Sequence, residues 1–354
     1  MSTPTELFCR AWAGGLPDIG PVAFGAWMRE YGTAQAIFEA RHALAAKQDK
    51  AALRRALEAP VDEAAWRESL YRCGARVLSQ DEPDYPAPLR ELSDAPPVVY
   101  VRGDMAAMER PVVAIVGSRG ATRQGLEDAA YLARCVAKAG GLVVSGGARG
   151  IDTAAHAGAL EAGQTAAVFG CGIDVVFPRE NAALFDQIAD QGFLLTECPL
   201  GMPAIGANFP RRNRLVVALA DAVVMVEAVE KSGAMITAGL AARMPRPLYT
   251  LPGPMTSPLF AGNRKLLRQG AVCLYEPDVL LADLGLGVAA APRQMVLPTD
   301  PLQAEVFAHL QRGDAGIDEL CRDLKISAAQ AGGVLTGMVL EGMIKQLPGN
   351  RYGV

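Results

Sequence analysis

At 354 residues, 51% hydrophobic and 20% charged, the chain is long enough for two or three domains with buried cores, and its composition excludes a low-complexity or disordered protein. A formal net charge of −4 excludes a protein that coats nucleic acid through bulk positive charge, so any polyanion must be bound focally. Seven cysteines (Cys9, Cys73, Cys135, Cys171, Cys198, Cys273 and Cys321) stand singly without a C-x-x-C pair, which argues against zinc and disulfides and for a reducing cytoplasm.

Residues 1–71 read as a helical domain rich in Ala, without strand-like alternation. Within it, Gly14-Gly15-Leu16-Pro17-Asp18-Ile19-Gly20-Pro21 resembles the turn of a helix-hairpin-helix or sterile-alpha-motif-like unit. Such turns grip phosphates through glycine N–H groups, but Asp18 and the lack of Lys or Arg favour a packing role. No basic patch followed by an apolar core opens the chain, and the greasiest stretch, Leu215 to Val226, is interrupted by Asp221 and too short for a bilayer. Neither export nor a membrane role is expected.

Residues 72–285 alternate short apolar runs with helical patterns. The runs are Val112 to Val116, Leu142 to Val144, Ala166 to Phe169, Leu194 to Thr196, Ala222 to Val226, Leu248 to Leu251 and Val272 to Tyr275. Helices between nearly every pair mean crossover connections, hence a doubly wound, mostly parallel α/β sheet covered on both faces, with ligands at the carboxyl ends of the strands. Two runs lead into glycine turns, Gly117-Ser118-Arg119-Gly120 and Ser145-Gly146-Gly147-Ala148-Arg149-Gly150-Ile151-Asp152. Both read as strand, phosphate loop and helix, in which backbone N–H groups, a helix dipole and an arginine fork address an oxyanion. Neither is G-x-G-x-x-G or a P-loop, which excludes a nicotinamide dehydrogenase.

The densest basic run is Asn208-Phe209-Pro210-Arg211-Arg212-Asn213-Arg214, in which Asn208 and Pro210 start a helix and the guanidiniums cluster near its positive end. Arg119, Arg149, Arg179 and the 211–214 cluster come from four strand-to-helix loops along one edge of the sheet. A mononucleotide needs one phosphate cradle and a polyanion several in a row, so single-stranded nucleic acid is the simplest ligand. Phe177 and Phe209 are the aromatic candidates beside the loops, and packing against the sheet is the favoured reading for both.

Residues 286–299 look like a linker, broken by Gly287-Val288-Ala289-Ala290-Ala291-Pro292. Residues 300–354 offer helices over Pro301 to Leu310, Ile317 to Leu324 and Ala328 to Met343, then a hairpin from Lys345 to Tyr352, the layout of a winged helix-turn-helix. Its third helix carries no Lys or Arg, and five bases face seven acids across the segment. A protein-contact or regulatory module is therefore expected rather than a DNA reader.

Through Ile115-Val116-Gly117-Ser118-Arg119, Ser145 to Asp152, Gly172 to Asn181, the 208–214 run and Ser232 to Ala238, the chain resembles the DNA-processing protein A family (DprA, also called Smf). The resemblance covers about residues 72–276, and the flanking helical and winged domains match three-domain members. It implies a Rossmann-like sheet and a non-enzyme that binds and protects incoming single-stranded DNA in natural transformation and helps load the RecA recombinase. It assigns DNA contact to Gly117, Ser118, Arg119, Ser145, Gly146, Gly147, Arg149, Gly150, Arg179, Asn208, Arg211, Arg212, Asn213, Arg214, Lys231, Ser232 and Gly233. It also implies a homodimer, paired near Leu266, Leu267 and Val272.

The competing reading is a nucleotide phosphoribohydrolase of a related fold, in which Asp152, Glu227 or Glu230 would do acid–base work. Val226 to Ala234 lacks the Pro-Gly-Gly-x-Gly-Thr-x-x-Glu segment of those enzymes, and structural roles for Asp152, capping a helix, and Glu227, closing a strand, are favoured. His42, His156 and His309 are too far apart to suggest a metal triad, and an ordinary helix-surface contact accounts for His156. No catalytic residue, metal or cofactor is expected.

Overall fold

The computed structural model describes residues 4–286, 298, 300–340, 343–347 and 351–353. They divide into two compact units, Met1–Gly287 and Val288–Val354.

The first unit begins with α1 (Glu6–Gly14), α2 (Pro21–Tyr31), α3 (Ala34–Glu39), α4 (Arg41–Ala46), α5 (Ala51–Glu58) and α6 (Glu63–Arg72). Thr5, Thr33 and Asp62 start α1, α3 and α6, each side chain accepting from a backbone N–H of the first turn. Phe8, Ile37, Phe38, Leu53 and Leu57 form the core of this bundle. The turn between α1 and α2 packs: a Cβ on Gly14 would lie 2.8 Å from Pro97 and one on Gly15 3.1 Å from Pro199, while Asp18 pairs with Lys50 at 3.4 Å.

Next come β1 (Ala75–Ser79), α7 (Ala87–Arg90), β2 (Val98–Gly103), β3 (Val112–Val116), α8 (Arg123–Lys138), β4 (Leu142–Ser145), α9 (Ile151–Leu160), β5 (Thr165–Phe169), α10 (Ala182–Gln191) and β6 (Phe193–Thr196). They are followed by α11 (Asn208–Leu219), β7 (Ala222–Met225), α12 (Gly233–Arg243), β8 (Leu248–Thr250), α13 (Ala261–Arg268), β9 (Val272–Cys273) and α14 (Pro277–Asp283). Among the described residues the strands form one nine-stranded sheet, ordered β1-β2-β6-β5-β4-β3-β7-β8-β9. From β6 to β9 every pairing is parallel, whereas β1 pairs with β2 and β2 with β6 antiparallel. The strand-and-helix alternation does not announce β1, an edge strand with Arg76 exposed, or β2, whose buried run Val98 to Val101 has no crossover helix to place it in the parallel series. Ala11 of α1 and Leu70 of α6 share a core with Val77, Val98 and Tyr100, which seats the helical bundle on these antiparallel strands.

The central strands are buried on both faces, so alternate residues of β3 serve different cores. Val112, Ala114 and Val116 face α11 and α12, and Val113 and Ile115 face α8, α9 and α14. On α9, Gly158 lies against the backbone of Ala130 on α8, an approach that a side chain would block. The chain builds outward from β3 through β4, β5 and β6, then returns to the other side of β3 for β7. That reversal opens a crevice at the carboxyl end of β3.

The second unit comprises α15 (Pro301–Leu310), β10 (Ala315–Gly316), α16 (Ile317–Leu324), α17 (Ala328–Leu340), β11 (Lys345–Leu347) and β12 (Arg351–Gly353), with sheet order β10-β12-β11. Val306, Phe307, Leu310, Leu320, Leu335, Met338, Met343 and Ile344 form its core. Met343 joins that core beyond the end of α17 rather than extending the helix, because its N–H turns back onto the carbonyl of Met338. Of the expected linker only Leu286 and Pro298 are described, and the hairpin tip Pro348-Gly349-Asn350 lies outside the described residues. Leu286 is a core residue rather than linker, packed where Gly141 leaves room. Among the described residues no helix is long and apolar enough to cross a membrane.

His156 overturns its expected place on a helix surface. It is fully buried between α9 and β5, with Nδ1 2.8 Å from Thr165 Oγ1, and Thr165 in turn donates to the Val143 carbonyl at 2.8 Å. Thr165 therefore accepts from His156 Nδ1–H, and burial pushes the imidazole down to about 3. An unfolded histidine takes its proton near pH 6.5, so between that value and pH 3 the unfolded chain binds more protons and stability drops as the pH is lowered. Urea unfolding should lose about 2 kcal/mol from this group between pH 6.5 and 5. His156→Asn, which keeps a donor for Thr165 but does not titrate, should flatten that slope; equal slopes in both proteins would refute the assignment.

Candidate functional site

The crevice at the end of β3 is a cleft of about 500 Å³, lined by Gly117 to Gly120, Gly146, Ala148, Asp152, Gly206, Phe209, Arg212, Asn213, Ser232, Gly233 and Thr237, among others. Helices α9, α11 and α12 begin at its wall, and α8 begins three residues beyond Gly120. The N-terminal end of each carries partial positive charge, so their convergence gives the cleft a positive potential suited to an anion without a net-basic protein.

Gly117 is required by space, since a Cβ there would lie 2.6 Å from Ile151. The two glycine turns touch, because Gly150, at φ 79°, presses against the carbonyl of Ser118. Glu227, fully buried at the end of β7, accepts from Thr122 N at 3.1 Å and Thr122 Oγ1 at 2.6 Å and ties the start of α8 to β7. Ser232 caps α12, accepting from Met235 N and donating to the Val229 carbonyl, and leaves Gly233 exposed on the cleft wall.

The second glycine turn departs from expectation. Ser145 is fully buried and its hydroxyl donates to the Ile115 carbonyl at 2.7 Å, so it is a sheet residue and not a ligand contact. Gly147 is buried under the ring of Phe185, 2.9 Å from where a Cβ would stand, and its φ of 68° suits glycine, so it too is there for packing. Asp152 Oδ2 accepts from Gly146 N at 3.1 Å and Ala148 N at 3.3 Å. Burial pushes the Asp152 carboxyl up, while the Arg212 guanidinium and those N–H groups oppose the shift.

The arginine run points in different directions, because successive residues of a helix face different sides. Arg212 and Asn213 line the cleft, Arg212 only 4% exposed, lying on Gly146 and donating to the Val168 carbonyl. Burial lowers the pKa of Arg212, and Asp152 opposes that shift. Arg214, expected at the binding surface, is instead 6% exposed, with Nη2 2.6 Å from Glu197 and Nε 2.9 Å from Asp94. Arg211 is exposed, 3.5 Å from Glu197, and lines a separate small pocket with Gly14 and Pro21. Burial raises Glu197 against the pull of Arg214 and Arg211. Asn208 is half-buried against Met202.

Arg119 is exposed with its guanidinium carbon 5.2 Å from the centroid of the Phe209 ring. Phe177 stacks on Phe209 at 5.6 Å and is 44% exposed. Packing against the sheet, the reading favoured from sequence, therefore fails for Phe177; Phe209 covers Gly170 and leaves part of its ring open. Arg149 is exposed and paired with Glu180, while Arg179 and Lys231 are exposed on neighbouring loops. At the far edge Leu266 is buried in the main core and cannot be a free interface residue, Leu267 is half-buried and Val272 is 41% exposed. A groove of about 740 Å³ runs beside Val272, bordered by Met235, Leu248 and Lys265.

Residues 76–285 match the family described as DNA recombination-mediator protein A, and residues 289–350 match the DprA winged helix domain. Protein Smf of Synechocystis is 32% identical over 319 residues, covering 78% of this chain and 79% of the relative. The X-ray structure of DNA processing protein A from Streptococcus pneumoniae superposes with a TM-score of 0.68 at 27% identity, over 80% of this chain and 99% of that one. The structure of DNA processing protein A from Helicobacter pylori, described for its unique single-stranded DNA binding mode, superposes with a TM-score of 0.55 at 33% identity, over 59% of this chain and 97% of that one.

The division within the arginine run is open to test by stability alone. Arg214→Ala strands the buried Glu197 carboxylate and should cost about 3 kcal/mol, whereas Arg211→Ala, at a solvated position, should cost under about 1 kcal/mol. Urea midpoints of the two variants decide it, and equal losses would contradict the geometry.

Proposed function

Because this chain belongs to the DNA recombination-mediator protein A family, we propose that it binds single-stranded DNA in the cleft at the end of β3, protects it during transformation and passes it to the RecA recombinase. The observation that carries the reading is the exposed stack of Arg119, Phe209 and Phe177 beside a cleft walled by helix N-termini. A single strand offers phosphates and unstacked bases together, and a duplex hides its bases. Arg119 and the N–H groups at the start of α12 address phosphate, and the exposed face of Phe177 accepts a base.

Arg179 and Lys231 extend the positive surface on either side, and Arg149 joins it through a pairing with Glu180 that solvent screens. No turnover is part of this reading. The carboxylates a phosphoribohydrolase would use are engaged, Glu227 by Thr122, Asp152 by its own loop and Glu230 by Lys265 at 3.1 Å. Leu267 and Val272 at the β9 edge, beside the 740 Å³ groove, support self-association, which would align two clefts on one strand. The seven cysteines are free thiols, in keeping with a cytoplasmic site of action.

Fluorescence anisotropy with labelled oligothymidylate tests the site. Arg119→Ala should weaken binding several-fold and reduce the salt slope by about 0.7, and Phe177→Ala should cost about 1 kcal/mol, both with unchanged melting temperature. Unaltered affinity in both variants, or equal affinity for duplex, would overturn the assignment. Light scattering during the same titration should find two chains per particle, and persistent monomers would remove the self-association. RecA added to the coated strand should form filaments sooner than on a strand held by an unrelated single-strand binder; no acceleration would remove the handover.

The second unit is proposed as a regulatory or protein-contact module. Its third helix presents Ala328, Ala329, Gln330, Gly333 and Thr336 to solvent, none of them a cation, in a segment where acids outnumber bases. A chain ending at Gly287, which keeps Leu286 in its core, should retain single-strand affinity within roughly threefold. Abolished binding would make the module a DNA reader.

A further inference from the structure

The second glycine turn already holds an anion, and that anion belongs to the chain. Gly146 N and Ala148 N converge on Asp152 Oδ2 at 3.1 and 3.3 Å, as they would on a phosphate oxygen, from a residue in the first turn of α9. Arg212, 4% exposed, lies across Gly146 on the same wall, with one nitrogen on the Val168 carbonyl and Nε without a hydrogen-bond partner among the described residues. Both side chains border the cleft, so a bound phosphate meets a carboxylate and a guanidinium whose charges cancel.

We propose that Asp152 sets the affinity of the cleft: it fills the second glycine turn in place of a phosphate, cancels Arg212 and so weakens the hold on a bound strand. The proposal rests on the reading that the cleft binds single-stranded DNA. Its physical basis is that a negative charge at the wall of a partly desolvated cleft repels phosphate more strongly than one in water. A site that must release its strand gains from such a charge, because tighter binding chiefly slows dissociation.

The test is a charge series read by anisotropy on oligothymidylate. Asp152→Asn keeps an oxygen for the two N–H groups and removes the charge. It should bind more tightly than the unaltered chain, with a salt slope steeper by about 0.7, worth roughly fivefold per tenfold dilution of salt. Arg212→Gln should shift the slope the opposite way, and the double variant should return near the starting value. A merely structural role predicts weaker binding from both single variants, and that outcome, or unchanged affinity in Asp152→Asn, overturns the proposal. Should Asp152→Asn fail to fold, amide shifts of the unaltered chain decide the point. On adding the oligonucleotide, Arg119 and Gly233 should move while Gly146 and Ala148 stay; large shifts at Gly146 and Ala148 would show phosphate in the turn. An unaltered chain that binds no single strand refutes the cleft's function itself, an outcome distinct from either failure.

Discussion

Two guanidiniums buried at the positive end of one helix, Arg212 and Arg214, have to be neutralised before α11 can dock, and the cleft takes its shape from how that is done. The end of a helix that carries partial positive charge is the least favourable place for Arg211, Arg212 and Arg214. Glu197, on the loop after β6, takes Arg214 and part of Arg211, Asp94 takes the other side of Arg214, and Asp152 faces Arg212. These carboxylates come from three separate segments, all on the β4 side of β3, so the neutralisation ties α11 to that half of the sheet. Breaking such a pair by removing one partner costs more than the pair contributes, because a buried charge is left alone.

With α11 fixed, the positive charge available to a ligand comes from other sources. Parallel strands place their loops and the following helix N-termini at one end, and the reversal of strand order at β3 separates the loops enough to leave a cleft. Backbone dipoles then supply positive potential at a point on a protein of net charge −4. Arg119 adds an exposed charge, and the Phe177–Phe209 pair adds an exposed aromatic surface beside it. Two glycine turns of similar sequence end with different work. The first presents Ser118 and Arg119 to the cleft, and the second closes on Asp152.

The sequence alone determined the parallel core, because a strand buried on both faces must be apolar throughout and its crossover must be helical. Those demands are visible in Val112 to Val116 and in the helix that follows, and likewise in the three helices of the second unit. It also placed the glycine turns and arginines together at the carboxyl ends of the strands, where the structure has its cleft. The antiparallel strand β1 was hidden, as a strand at the edge of a sheet tolerates Arg76 and Ser79 and loses part of the apolar signature, whereas β2 shows its run Val98 to Val101 but no crossover helix to mark it as one of the parallel series.

Tertiary structure decided which side chains reach the cleft. Arg211, Arg212 and Arg214 read alike in the sequence, but each step along a helix turns a residue about a quarter of the way round, so one faces solvent, one the cleft and one a buried carboxylate. Ser145, Gly147 and Leu266 belong to motifs associated with binding or pairing, yet the positions they occupy are filled by the Ile115 carbonyl, the Phe185 ring and the main core. His156 is polar at a helical spacing that suits a surface and is fully buried, because Thr165 on the adjacent strand satisfies its donor. Sequence states which chemistry the chain carries. Whether a group is spent inside the protein or presented outside it depends on partners tens of residues away, and only the folded arrangement brings those partners together.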